Sequence, residues 1–313
     1  MITPPANTQI YKGEIADYWF DEGIYLLSSD VEYSDLIPSR LIRINDVDIE
    51  EVEKKLSSII PGNPAQVKKV IPEYLCSPAI LHGMKIISHR DACLFTFINA
   101  DGDTIKRKTE TKLREKIKAD SIQLGDKLLR NQSRDNYWYK YDSLSNSLYF
   151  NYISCINDRK KPFDKFTEEL FLELESHDTK RLIIDLRYNS GGSEPLLFPV
   201  IERLWKTKVR KQKGLFVLIG RRTFSSAVLN AFGLQSKDDA ILVGEETGGS
   251  INHFGEIKVF ELPNSRLRVA YSTKYFLRER SKTGSLKPDQ MIPVKFSDFI
   301  NGVDPALDYT ETH

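Results

Sequence analysis

Apolar and polar residues follow two different rhythms along this chain. In the first third the apolar runs are short and alternate with polar positions. Trp19 to Ser28 (WFDEGIYLLS) reads as two strands about a tight turn at Asp21–Gly23. Arg40 to Ile44 (RLIRI) alternates as a strand does, and Asn45–Asp46 follows as a turn. Ile49, Val52, Leu56, Ile59 and Ile60 share one helical face, and Pro61–Gly62 ends that helix. Val67 to Leu75 and Ala79 to Ile87 are partly helical. Cys93 to Asn99 and Thr104 to Thr109 form a hairpin about Asp101–Gly102.

The second rhythm begins near Ser147. Ser147 to Ser154 predicts a strand, and Phe163 to Ser176 an amphipathic helix. Arg181 to Leu186 (RLIIDL) and Leu215 to Ile219 (LFVLI) are continuous apolar runs, as strands buried on both faces require. Pro195 to Trp205 and Ser225 to Leu234 read as helices, and Ala240 to Val243 as a third short strand. Strands alternating with helices predict a parallel α/β sheet. Val259 to Leu262 and Leu267 to Tyr271 predict a hairpin about Asn264–Ser265. The charged stretch from Lys112 to Asn136 separates the two rhythms. A small α+β lobe over residues 1–125 and an α/β core over 126–313 are therefore expected.

Length and composition fit this division. The chain has 313 residues, 40% hydrophobic and 28% charged, which suits about two globular domains. Lys plus Arg number 45 against 44 Asp plus Glu, so no basic excess points to nucleic acid or an anionic membrane. Cys76, Cys93 and Cys155 are too few and too scattered for a disulfide framework or a zinc ribbon, and buried thiols are expected. No apolar run approaches a transmembrane length. Met1 to Ile10 has no apolar h-region, so no signal peptide is expected in this chain.

In a parallel sheet, ligands bind at the carboxyl ends of the strands. Three loops leave such ends: Arg187 to Gly192, Arg221 to Ser226, and Gly244 to Gly255. Gly191–Gly192 precedes a helix and reads either as a plain tight turn or as a cradle for an anion. Ser225 opens a helix and reads either as an N-cap or as a nucleophile at the positive helix end. No histidine or lysine adjoins it. His253, beside Asn252, is either a base or substrate contact, or a loop histidine satisfied by backbone. His82 reads as helix-end packing and Lys274 as a solvated strand lysine.

LIIDLRYNSGG, RRTFSSAVLNA and VGEETGGSINHFGE resemble, in that order, the motifs of the S41 peptidases, the tail-specific and tricorn-core serine proteases. YWYKYDSLSNSLYFNYISC upstream, and LPNSRLRVAYSTKYF and Pro288–Asp289 downstream, extend the resemblance over most of residues 137–308. LIPSRLIRINDVDIEEV resembles the PDZ-like lobe that precedes many S41 cores. The resemblance implies an α/β core of the crotonase and ClpP type behind that lobe. It implies hydrolysis of peptides or unfolded protein termini through an acyl-enzyme, with no cofactor and no metal. Ser225 falls on the nucleophile. Gly191, Gly192 and Ser226 fall at the oxyanion hole, and Gly249, Ser250 and Asn252 at substrate contacts. Asp185 and Arg187 fall on supports of the first loop.

Two departures stand out. Ser250 occupies the position of the base lysine of the processing peptidases, and the D-x-H-T tetrad that carries the histidine base in tricorn-like branches is absent. Three explanations are open: a segment upstream of this chain carries the base, another group such as His253 supplies it, or the protein is an inactive peptide binder. Acyl-thioester chemistry of the crotonase type is a weaker alternative, with no residue arguing for an acyl-CoA site. Relatives often work outside the cytoplasm, and the sequence assigns no oligomeric state.

Overall fold

The computed structural model describes residues 2–3, 9–11, 16–113, 116–122, 124 and 128–313. Part of the N-terminal stretch read as lacking a signal, and part of the charged boundary segment, lie outside the described residues. Strands β1 (Ile2–Thr3), β2 (Gln9–Tyr11), β3 (Ala16–Phe20), β4 (Gly23–Asp30), β5 (Ser39–Ile44) and β6 (Val47–Asp48) come first. Helices α1 (Ile49–Ser57), α2 (Pro64–Leu75) and α3 (Pro78–Gly83) follow, then β7 (Ala92–Ile98), β8 (Thr104–Leu113) and β9 (Ala119–Ser121). Next are β10 (Tyr137–Asp142), β11 (Ser147–Tyr152), α4 (Phe163–Ser176), β12 (Arg181–Asp185), α5 (Phe198–Leu204), α6 (Lys208–Lys211) and β13 (Leu215–Ile219). The chain ends through α7 (Ser226–Asp238), β14 (Ile241–Gly244), β15 (His253–Glu261), β16 (Arg268–Phe276), β17 (Gln290–Met291), α8 (Phe296–Asn301) and α9 (Pro305–Thr312).

Two units are drawn from interleaved stretches. The first comprises Met1–Pro61, Val67–Gln123 and Phe254–Tyr275, the second Gly62–Gln66, Leu124–His253 and Phe276–His313. In the first unit the strands run in the order β2-β8-β7-β5-β4-β3. Leu41, Ile44, Phe95 and Phe97 pack with Val52, Leu56 and Leu75. Helix α1 stops at Ser57, short of Ile60. The Ser57 and Ser58 hydroxyls donate to the Glu53 and Lys55 carbonyls, a local alternative to helix continuation. Ile59 consequently leaves the buried face. Strands β15 and β16 are longer than the pattern suggests and form a separate sheet in the order β1-β16-β15.

The second unit is built on the sheet β10-β11-β12-β13-β14-β17. Pairing is parallel from β11 to β17, and β10 runs antiparallel at one edge. Side chains alternate between two apolar layers, as period-two geometry demands. Leu182, Ile184, Val217 and Ile219 pack with Phe166, Leu170, Val200 and Val228 of α4, α5 and α7. Ile183, Phe216, Leu218 and Val243 pack with Ala306 and Leu307 of α9. The Pro195–Trp205 helix is in fact a 3-10 turn, Glu194–Leu197, followed by α5. Because β11 to β14 are parallel, the loops after them leave one common edge.

A buried charge cluster anchors the first of those loops. Arg187 donates to Asp185 and to both carboxylate oxygens of Asp304, at 2.6–3.1 Å. Arg130 reaches Asp304 at 2.9 Å, and the Tyr149 hydroxyl donates to Asp185 at 2.7 Å. Asp304 also accepts from Leu307 N at the start of α9. Burial pushes the Asp304 carboxyl up, but Arg187 and Arg130 overcome this and hold it at about 2.

An unfolded aspartate titrates near about 3.9, so folded Asp304 binds fewer protons in this range. Its contribution is complete above the unfolded pKa and is lost as pH falls through about 4 toward 2. Urea unfolding followed across this window should show the wild type losing roughly 2–3 kcal/mol that Asp304→Asn does not lose. Above the window, the variant should be less stable by about 3–5 kcal/mol, because buried Arg130 then loses its carboxylate and Arg187 keeps only Asp185.

Candidate active site

Ser225 lies between β13 and α7, outside the helix. Its backbone sits at φ 52°, ψ −127°, a region almost reserved for glycine. Ser225 holds the N-cap position of α7, yet its side chain makes no capping hydrogen bond. Thr223 fixes the approach: its hydroxyl donates to Leu186 O at 2.8 Å and accepts from Gly220 N at 3.0 Å. Phe224 N donates to Asn189 O at 3.0 Å, joining the first two loops.

Two glycines make room for this turn. A Cβ on Gly191 would stand 2.8 Å from Ser225 Cβ and 3.2 Å from Ser226 N. A Cβ on Gly249 would stand 3.0 Å from Ser225 N. Gly192 forms a parallel bridge with Cys155, and a Cβ there would stand 2.5 Å from Cys155 O. Cys155 N donates to Gly191 O and Ser193 N donates to Cys155 O, so the Gly192 N–H and carbonyl face away from Cys155. That carbonyl accepts from the Ser226 hydroxyl at 2.5 Å.

Gly191 N is engaged with Asn189 Oδ1 at 2.9 Å. The Gly192 and Ser226 N–H groups donate to no backbone carbonyl among the described residues. The Gly191–Gly192 pair comes just before the 3-10 turn Glu194–Leu197, whose N-cap position is Ser193. The helix contribution comes from α7, through Ser226 at its first turn. A free hydroxyl beside two unengaged N–H groups can attack a carbonyl and receive the resulting oxyanion.

The third loop meets this turn at Gly249, whose N–H donates to Thr223 O at 3.1 Å. Ser250 pairs with Ser285, and Ser250 O accepts from His253 Nδ1 at 2.8 Å. A carbonyl only accepts, so Nδ1 carries a proton, and in the neutral ring Nε2 is the nitrogen with the lone pair. His253 is half-buried, lies against Phe276 at 5.5 Å, and makes no hydrogen bond to Ser225. Asn252 is fully engaged: its amide donates to Glu279 O and Lys282 O and accepts from Arg278 N and Glu279 N. It shapes the 278–282 loop and offers no spare amide hydrogen.

Sequence reasoning misses three supporting residues. Asn189 is fully buried, and its Nδ2 donates to Tyr152 O at 2.8 Å. Asn63 Nδ2 donates to Thr247 O and Gly248 O, at 3.2 and 3.1 Å. Thr223 is the third. Asn189 carries a faint signal, as an Asx residue after a buried strand; Asn63 carries none. His82 and Lys274 belong to the first unit, where Lys274 pairs with Glu256 at 3.2 Å. No helix of the described residues is long and apolar enough to cross a membrane, and none of their His, Cys, Asp and Glu side chains form a metal-holding group.

Gly191→Ala should retain the far-ultraviolet circular dichroism of the wild type. It should lower stability to urea by about 1–3 kcal/mol, since an added Cβ meets both a positive φ and the Ser225 turn.

No protein-family model matches the chain. Solved structures do share its architecture. Mature CPAF matches with a TM-score of 0.66 at 13% identity, over 97% of this chain and 81% of that one. Mature CPAF complexed with lactacystin matches at 0.65 and 12% identity, over 97% and 82% of the two chains. A photosystem II D1 C-terminal processing protease matches at 0.39 and 12% identity, over 91% and 72%. The chain thus has the mixed α/β fold seen in mature CPAF.

Proposed function

We propose that this protein is a serine peptidase of the S41 kind, hydrolysing peptides or unfolded protein termini through an acyl-enzyme on Ser225. One observation carries the reading: a serine at φ 52° with an uncapping hydroxyl, beside the unengaged N–H groups of Gly192 and Ser226. In the proposed reaction Ser225 Oγ attacks the peptide carbonyl. The Gly192 and Ser226 N–H groups receive the oxyanion. A base takes the hydroxyl proton and returns it to the departing amine, and water then releases the acyl group. His253 Nε2 is the base candidate within this chain. On this reading Gly249 and Ser250 contact the substrate through their backbone, and the first unit is a PDZ-like lobe. The shared fold with mature CPAF supports the reading.

One observation favours a second reading, a peptide-binding protein without hydrolytic activity. His253 is bonded to Ser250 rather than to Ser225. Hydrolysis of an unfolded protein, followed by amine release, separates the two. On the first reading Ser225→Ala loses on the order of 10³-fold or more in kcat/KM. His253→Ala should lose activity with little change in substrate affinity. A wild type that binds unfolded chains yet releases no amine supports the second reading.

A further inference from the structure

The β15–β16 hairpin carries an unusual exposed apolar load. Phe254, Ile257, Val259, Phe260, Tyr271 and Tyr275 are each 48–71% exposed. Phe254 lies against Tyr275 at 4.7 Å and Phe260 against Tyr271 at 6.1 Å between ring centroids, so the rings gather in pairs. Exposed apolar residues gathered on one hairpin in this way mark an interaction site. In the order β1-β16-β15, β15 is an edge strand, and its outer edge has no strand partner among the described residues. It contains no proline to blunt that edge.

The sequence of β15 points to the partner. His253-Phe-Gly-Glu-Ile-Lys-Val-Phe-Glu261 is symmetric about Ile257. Phe254 mirrors Phe260. Glu256 mirrors Lys258 with the charge reversed, and His253 mirrors Glu261. A strand with this pattern is complementary to itself when run antiparallel.

We infer that β15 pairs antiparallel with β15 of a second copy of this chain, across a two-fold axis at Ile257. Glu256 then faces the partner's Lys258, and Lys258 faces the partner's Glu256. Each Phe254 faces the partner's Phe260, and Ile257 faces its own counterpart. Glu256 already holds Lys274 at 3.2 Å in its own hairpin, so the interface continues a row of alternating charge. Glu256 sits at φ 51°, and the two-fold axis repeats this bend symmetrically in both strands. Parallel pairing in register would set Glu256 against Glu256. Shifting the antiparallel register by two residues would do the same, so the charges select one arrangement.

Sedimentation equilibrium of the full chain across the micromolar range tests the inference. The wild type should have twice the monomer mass. Lys258→Glu should be monomeric, and the double exchange Glu256→Lys with Lys258→Glu should restore the dimer. Ile257→Cys should form a disulfide-linked dimer on mild oxidation, a readout that stands even if Lys258→Glu fails to fold. A wild type that stays monomeric would overturn the inference. So would a dimer indifferent to Lys258→Glu, or an Ile257→Cys protein that does not cross-link.

Discussion

Three backbone segments approach one another around Ser225 more closely than side chains would allow. Gly191 stands on one side of the serine and Gly249 on the other, and a Cβ on either would fall within about 3 Å of Ser225 atoms. Between them the serine takes a positive φ at a cost of roughly 1–3 kcal/mol. Such a conformation persists only where the surroundings over-determine it. Thr223, Asn189 and Gly249 do so by hydrogen bonds that tie all three loops together. The result is a hydroxyl turned out of its helix, with the N–H of α7 left uncapped beside it.

The sheet makes this convergence possible. Parallel pairing of β11 to β14 delivers every loop to one edge. The two apolar layers hold the strands rigidly, and the Asp185–Arg187–Asp304–Arg130 cluster fixes the first loop to α9. A buried cluster of this kind is sensitive to losing one member, because the charge left behind has no solvent to turn to. Fold stability and site geometry therefore rest on the same residues at this edge.

Much of the α/β unit is legible in the sequence. Apolar runs such as LFVLI leave little choice but a buried strand, and strand ends then locate the loops that hold Ser225, Gly192 and Gly249. The aromatic and charged YWYKYD run gives no such clue to edge strand β10. The conformation of Ser225 is also not legible, since serine before a helix ordinarily caps it. Asn63 acts 184 residues from its partner Thr247, a contact that only the folded chain creates. The hairpin is legible as a hairpin, but the exposure of its apolar residues is not.

The central claim is that Ser225 is an activated nucleophile. The most direct measurement is intact-mass and peptide mapping after treatment with a fluorophosphonate, which reports the attacking atom independently of any substrate. The account predicts a single phosphonyl adduct on the peptide bearing Ser225, absent from Ser225→Ala. A folded wild-type protein that stays unmodified, or one modified at another serine, would contradict it.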